Sequence, residues 1–258
     1  MVKKFINQLL GKLGINLVRK LNYEKFISGR EKYDTYELAE FIDAAHLPLF
    51  FESVRESKAQ LRQDMFVLTE LGFKNNGFFV EFGATNGVEL SNSHLLEKKF
   101  GWKGILAEPG KKWHSDLRSN RCANIEHDCV WKNTGEKLIF NEVADGELST
   151  IDSFSGGDAH RKARMEGTKY EVNTISLNDL LDKYRAPKEI DYLSIDTEGS
   201  EFEILNAFDF GKYRFKIITC EHNFTPMRHK IYRLLTKNGY KRKLTHLSSF
   251  DDWYVLQD

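Results

Sequence analysis

The chain has 258 residues and a mass of 30.0 kDa, enough for one sizeable core with a decorated end. At 41% hydrophobic and 29% charged residues it belongs with globular rather than disordered chains. Its 38 basic residues balance 38 acidic ones, so the basic excess that a nucleic-acid partner demands is missing and no such partner is expected.

In chain order, the first pattern is a basic amphipathic helix over residues 1–22. Ile6, Leu9, Leu10, Leu13, Leu17 and Leu21 recur at helical spacing, and Lys3, Lys4, Lys12, Arg19 and Lys20 take the other side, with Gly11 and Gly14 weakening the helix. No small-residue cleavage site follows, and no apolar run reaches bilayer length. Such a helix packs on the domain, self-associates with a second copy, or touches a membrane surface. Further helices are expected in "DTYELAEFIDAAH" and in "SKAQLRQDMFVLTELG", the latter stopped by Gly72 and "KNNG". Residues 1–60 therefore read as a helical extension, and 61–258 as the main domain. The three cysteines, Cys122, Cys129 and Cys220, have no CxxC spacing and read as reduced thiols of a cytoplasmic protein, at the inner membrane surface if the first helix binds lipid.

From residue 78 strands alternate with helices: "FFVEF", "NSHLLEKKF", "KGILAEP", "KKWHSDLRSN" and "ANIEHDCV". "EKLIFNEV" and "STIDSF" form an excursion, followed by a polar segment from Ser155 to Gly167 that reads as a loop or lid. "EVNTISLNDLLDKY" is strand then helix, with Ser176 as N-cap. "IDYLSID", "SEFEILNAF", "FKIITCEHN" and "MRHKIYRLLTKNG" continue the alternation, and "YKRKLTHL" with "DDWYVLQD" closes it as an antiparallel pair. The pattern predicts an α/β fold, a mostly parallel sheet with helices on both faces. With its terminal hairpin it resembles the Rossmann-like, seven-stranded sheet of class I methyltransferases, in which the last strand enters antiparallel.

Ligands in open α/β sheets bind beyond the carboxyl ends of the strands. Those ends read "EFGATNG", "AEPG", "EHDCV", "IDTEGSE" and "CEHN", and acids recur in them. Gly83 and Gly87 stand as GxxxG rather than GxGxxG, a poor match to a dinucleotide fingerprint and so to a nucleotide-dependent oxidoreductase. Glu108 follows the glycine loop by about 20 residues, where an acid grips a ribose diol.

The stretches "FVEFGATNGVELSNSHLLEKKFGWKGILAEP", "NTISLNDLL", "IDYLSIDTEGSEFEIL" and "CEHNF", in that order, resemble the FkbM-type methyltransferases, which use S-adenosylmethionine. Glu-Phe-Gly-Ala stands where many members have Asp-Ile-Gly-Ala. The resemblance implies that Glu81, Gly83, Ala84, Asn86 and Gly87 surround the methionine portion of the cofactor. Glu108 would hold the ribose, and Asp128 the adenine with Cys129 and Val130 beside the ring. It also implies a hydroxyl acceptor, small molecule or glycan, most simply a sugar. A catalytically silent cofactor- or glycan-binding module is the rival reading.

Methyl transfer to a hydroxyl needs an oriented acceptor and a way to take its proton. Asp196, Glu221, His222 and Asn223 gather at two adjacent strand ends. Either His222 is the base, with Asp196 or Glu221 orienting the hydroxyl, or Asp196, Glu221 and Asn223 hold a divalent metal such as Mg2+. Glu201 reads as a first-turn helix residue and Glu198 as a loop acid beside the site. Any of the four tryptophans could be a sugar-stacking platform, and the sequence does not choose among them.

Overall fold

The computed structural model describes residues 33–144, 146, 148–156 and 161–257. The amphipathic reading of residues 1–22 falls outside them. The chain divides into two compact units, Met1–Ile42 and Asp43–Asp258. In the first, residues 33–39 are helical. The second carries everything below and begins upstream of the expected boundary at 61. No helix among the described residues is long and apolar enough to cross a membrane.

The second unit opens with α1 (Leu47–Ser53) and α2 (Gln63–Glu70). Helix α2 starts later than its sequence pattern suggests. Arg62 takes a left-handed conformation (φ 66°), and the Gln63 side chain accepts from Leu61 N (2.9 Å), so 59–62 is a turn. Strand β1 (Phe78–Phe82) then pairs in parallel with β2 (Lys103–Ala107), which pairs with β3 (Asn124–Glu126). Helices α3 (His94–Phe100) and α4 (His114–Asn120) make the crossovers.

"ANIEHDCV" is not one strand. The Glu126 carboxylate accepts from His127 N and Asp128 N, folding the chain back after β3, and Cys129–Trp131 forms β4 in a second sheet. That sheet has the order β4-β7-β5-β6, from β5 (Lys137–Glu142), β6 (Thr150–Ile151) and β7 (Thr168–Ser176). Between β6 and β7, within the segment read as a loop, Arg161–Arg164 forms a short helix, α5. The Ser176 hydroxyl accepts from Asp179 N at the start of α6 (Leu177–Lys183), the N-cap its sequence predicts.

The chain returns to the main sheet through β8 (Glu189–Ile195), α7 (Glu201–Ala207), β9 (Arg214–Glu221), α8 (Met227–Lys237), β10 (Tyr240–Lys243) and β11 (Asp251–Leu256). The main sheet has seven strands in the order β10-β11-β9-β8-β1-β2-β3. Only β11 runs antiparallel to its neighbours, inserted between β9 and β10. Strand β8 is buried from Ile190 onward, as a strand covered on both faces must be. Val80, Phe82, Ile105, Leu193, Ile195 and Ile218 form the middle of the apolar core.

Register sets the site. Phe82 lies opposite Ile195, and Ile195 opposite Cys220, so β1, β8 and β9 end along one edge. After β1 the chain winds outward to β2 and β3, then comes back to β8 and winds the other way. The gap between the β1 and β8 ends is therefore the switch point at which open sheets bind ligands.

Candidate active site

A cleft of about 930 Å³, counted with its open mouth, lies at that switch point. Gly83 lines it with a positive φ of 74°, and a Cβ there would stand 2.2 Å from the Asp196 carbonyl oxygen. The close approach of the β1 and β8 ends thus requires glycine.

Glu81 is buried, but not for want of partners within the chain. Its carboxylate accepts from Asn92 N (2.7 Å), Ser91 Oγ (3.0 Å) and the Ser93 hydroxyl, and Arg121 Nη1 lies 3.8 Å away. The Arg121 side chain is itself fully buried. It donates to Gly87 O (3.0 Å), Ser91 Oγ (3.1 Å), Ser93 Oγ (2.8 Å) and Glu97 (3.0 Å). The cost of burying a carboxylate in β1 is met by this internal network. Glu108, at the end of β2, accepts from Thr85 N (2.8 Å) and Gly110 N (2.7 Å). Burial pushes its carboxyl up to about 7 despite those two amides, with Glu142 adding to the rise.

Across the switch point stand Asp196, Glu198 and Glu221, with carboxylate oxygens within 4.8 Å of one another. Glu198 is tied off, accepting from Arg164 Nη2 (2.8 Å) and Asn223 Nδ2 (3.1 Å). Asp196 and Glu221 chiefly meet each other. Burial lifts Asp196 up to about 7, and burial followed by the Asp196 charge lifts Glu221 well above the carboxylate range. Two acids this close share one proton, held by Glu221 and donated to Asp196. Glu201 occupies the first turn of α7 and accepts from Thr197 N and Gly199 N, bracing the loop beneath Glu198.

Of the residues expected at the cofactor, Glu81, Gly83, Glu108, Cys129 and Val130 line the cleft. Burial pushes the Cys129 thiol up to about 12, which leaves it an apolar wall. Ala84, Asn86 and Gly87 shape the loop from behind. Asn86 Oδ1 accepts from Val88 N and Glu89 N, and a Cβ on Gly87 would meet Arg121 and Leu117 rather than a ligand. Asp128 is half-buried and does not line the cleft.

One expectation at the reacting end is corrected. His222 Nδ1 accepts from Phe224 N (3.0 Å) and Nε2 donates to Asp251 O (3.1 Å), so neither ring nitrogen faces the cleft. The cause is the β9–β11 pairing, which carries residue 222 onto the backbone of Phe250 and Asp251, and burial lowers the imidazole pKa. Asn223, placed with a metal by sequence, donates its amide N–H to Glu198 (3.1 Å).

Sequence reasoning missed Arg121 and Arg164. Each is buried and neutralises an acid far from it in the chain. The only signal for either was an acid in want of a partner.

Residues 81–242, more than half of the chain, match the model of the Methyltransferase FkbM domain. Among solved structures, the chain is similar to a precorrin-6y C5,15-methyltransferase from Geobacter metallireducens GS-15, at 12% identity over 70% of this chain and 71% of that one, with a TM-score of 0.38. It is similar as well to the human methyltransferase 10 domain containing protein, at 11% identity over 77% and 82% of the two chains, with a TM-score of 0.37. No curated protein matches it.

Proposed function

The chain belongs to the FkbM methyltransferase family, whose members depend on S-adenosylmethionine, and from that premise we propose that it methylates a hydroxyl oxygen, that of a sugar in a glycan or glycosylated metabolite. The observation that carries this reading is the adjacent acid pair Asp196–Glu221 at the ends of β8 and β9, with carboxylate oxygens within 4.8 Å and Asp196 lining the cleft. A carboxylate poised at about 7 can receive a hydroxyl proton at neutral pH, and Asp196, unlike His222, lines the cleft.

The cleft suits the cofactor. Gly83 lets the β1 and β8 ends close together at its edge, Glu108 holds a carboxylate at the position of a ribose diol, and Val130, Phe140 and Ile151 offer apolar walls for a purine. When bound, S-adenosylmethionine supplies an electrophilic methyl group on a sulfonium. The chain's own residues do the rest. Glu108 grips the ribose hydroxyls. Glu221 keeps its proton and fixes the Asp196 carboxylate. Asp196 orients the acceptor hydroxyl and takes up its proton as the oxygen becomes nucleophilic.

A hard divalent cation on Asp196, Glu198 and Glu221 is the second reading, favoured by the 4.8 Å limit on their separation. The pairing of Glu198 with Arg164 weakens that donor set.

The test is methyl-labelled cofactor with a panel of glycan acceptors. Label should pass to a sugar oxygen, and Asp196→Asn should lose transfer while S-adenosylhomocysteine still binds. Full turnover by Asp196→Asn together with indifference to EDTA would remove both versions. Failure of S-adenosylhomocysteine to bind wild-type protein would remove the cofactor assignment as well.

A further inference from the structure

The end of β9 carries a strained turn that proton transfer does not explain. Asn223 and Phe224 both adopt positive φ, 41° and 56°. A bulky aromatic in that region is an outlier that costs energy and persists only where its surroundings enforce it. Here the Phe224 N–H is held by His222 Nδ1 (3.0 Å), the Asn223 amide by Glu198 (3.1 Å), and the His222 ring meets the Phe224 ring edge-on with centroids 5.3 Å apart. The strain throws the Phe224 ring into solvent. At 70% exposure it is the most exposed aromatic among the described residues.

Its place matters as much as its exposure. Phe224 follows directly on the residue that clamps Glu198 in the cleft wall. Met165, 77% exposed, follows directly on Arg164, which clamps the same carboxylate, and Leu90, 42% exposed, lines the cleft itself. Two of the three thus stand next in the chain to a clamp of the Glu198 carboxylate, and Leu90 lies in the cleft wall itself. Among its described residues the cleft lining includes Glu81, Glu89, Glu108, Asp196 and Glu198, and no lysine, arginine or histidine. Trp102, Trp131 and Trp253 are buried, so these three tryptophans serve packing, and Trp113 is half-buried.

We infer that Phe224 is the acceptor platform of this cleft, stacking on the apolar C–H face of an uncharged sugar ring whose hydroxyls reach Asp196. Hydroxyl donors match the Asp196 carboxylate, an apolar ring face matches a bare phenyl ring, and a phosphate or carboxylate on the acceptor would meet the like charge of Asp196 and Glu89. His222, whose ring nitrogens hold the turn, is on this account a positioning residue for Phe224. The inference rests on the sugar-hydroxyl reading above and deepens it.

The test uses full-length protein saturated with S-adenosylhomocysteine. It is titrated with the methyl glycosides of neutral hexoses and 6-deoxyhexoses and with the matched hexuronic acids, and followed by saturation-transfer NMR and calorimetry. At least one neutral glycoside should bind, its ring C–H protons should saturate most strongly, and its uronic acid should bind at least about 10-fold more weakly. Phe224→Ala should weaken that sugar about 10-fold, Phe224→Trp should retain it, and S-adenosylhomocysteine affinity should stay unchanged in both. The inference is overturned by a uronic acid that binds as well as its neutral partner or by an unaltered Phe224→Ala. It also fails if the variant loses S-adenosylhomocysteine in step with sugar, or if no glycoside binds the loaded wild-type protein. Failure of S-adenosylhomocysteine to bind would bring down the methyltransferase reading itself, a separate result.

Discussion

The two sides of the cleft use one residue type in opposite ways. At the ends of β1 and β2, Glu81 and Glu108 are each gripped by N–H or O–H donors of their own chain. At the ends of β8 and β9, Asp196 and Glu221 chiefly face each other, and one proton has to serve both. A carboxylate held in place by fixed donors is a frame, whereas a pair sharing a proton can give and take one. The difference lies in the donors each acid meets rather than in the acids themselves.

The largest expected effect tests the proton-handling side. Asp196→Asn keeps the shape but cannot accept a proton, and turnover should fall about 100- to 10,000-fold while S-adenosylhomocysteine affinity stays within about 2-fold. An equal fall in affinity would mean that Asp196 belongs to the frame.

The frame itself is tested by Arg121→Met. Removing one partner from a buried charge network leaves Glu81 and Glu97 without their cation, and urea unfolding should show a loss of about 3–5 kcal/mol. A loss below about 1 kcal/mol would show that the serine hydroxyls and the Asn92 amide suffice.

Glu108→Ala should weaken S-adenosylhomocysteine by about 10- to 100-fold, the worth of one or two hydrogen bonds to a charged group, with modest change in stability. An undiminished affinity would move the ribose elsewhere.

The smallest effect is in pH. With Asp196 near 7, turnover should climb through that value and level off above it. Stability should run the other way. Asp64 (about 6), Glu108, Asp196 and Asp251 (each about 7) are raised above their unfolded values, so the folded state binds more protons there. Their contribution is complete below about pH 4 and is lost as pH rises through 6–7. Asp191 opposes this: against burial, Lys74 and Lys216 hold it low, and its contribution is lost only in acid. The urea midpoint of ligand-free protein should therefore decline from about pH 5 to about pH 7.5, and a flat or rising midpoint would show that the raised acids do not dominate.

Much of the frame was written in local pattern. Strand-helix alternation, the glycine loop, the Ser176 cap and the acids at the strand ends depend on residues near one another in the chain, so a linear reading finds them. The same reading assigned Glu201 to a helix start, where it lies, because a first-turn acid needs only its own neighbours. It ran "ANIEHDCV" together as one strand because nothing in those eight residues says that Glu126 will fold the chain back on itself.

What the sequence by itself determined was which residue types would stand along the carboxyl edge of the sheet, since a parallel sheet delivers every strand end to the same edge. Only the tertiary structure decided what each of them does there. Gln63 reaches the Asp251 carboxylate across 188 residues, and His222 spends both ring nitrogens on backbone, Nε2 donating to Asp251 O and Nδ1 accepting from Phe224 N, so neither is free to act as a base. Arg164 arrives from the excursion to silence Glu198, which leaves Asp196 and Glu221 to share a proton. The protonation and freedom of a buried side chain depend on the donors and charges packed around it, and those come from distant parts of the chain that only folding brings together.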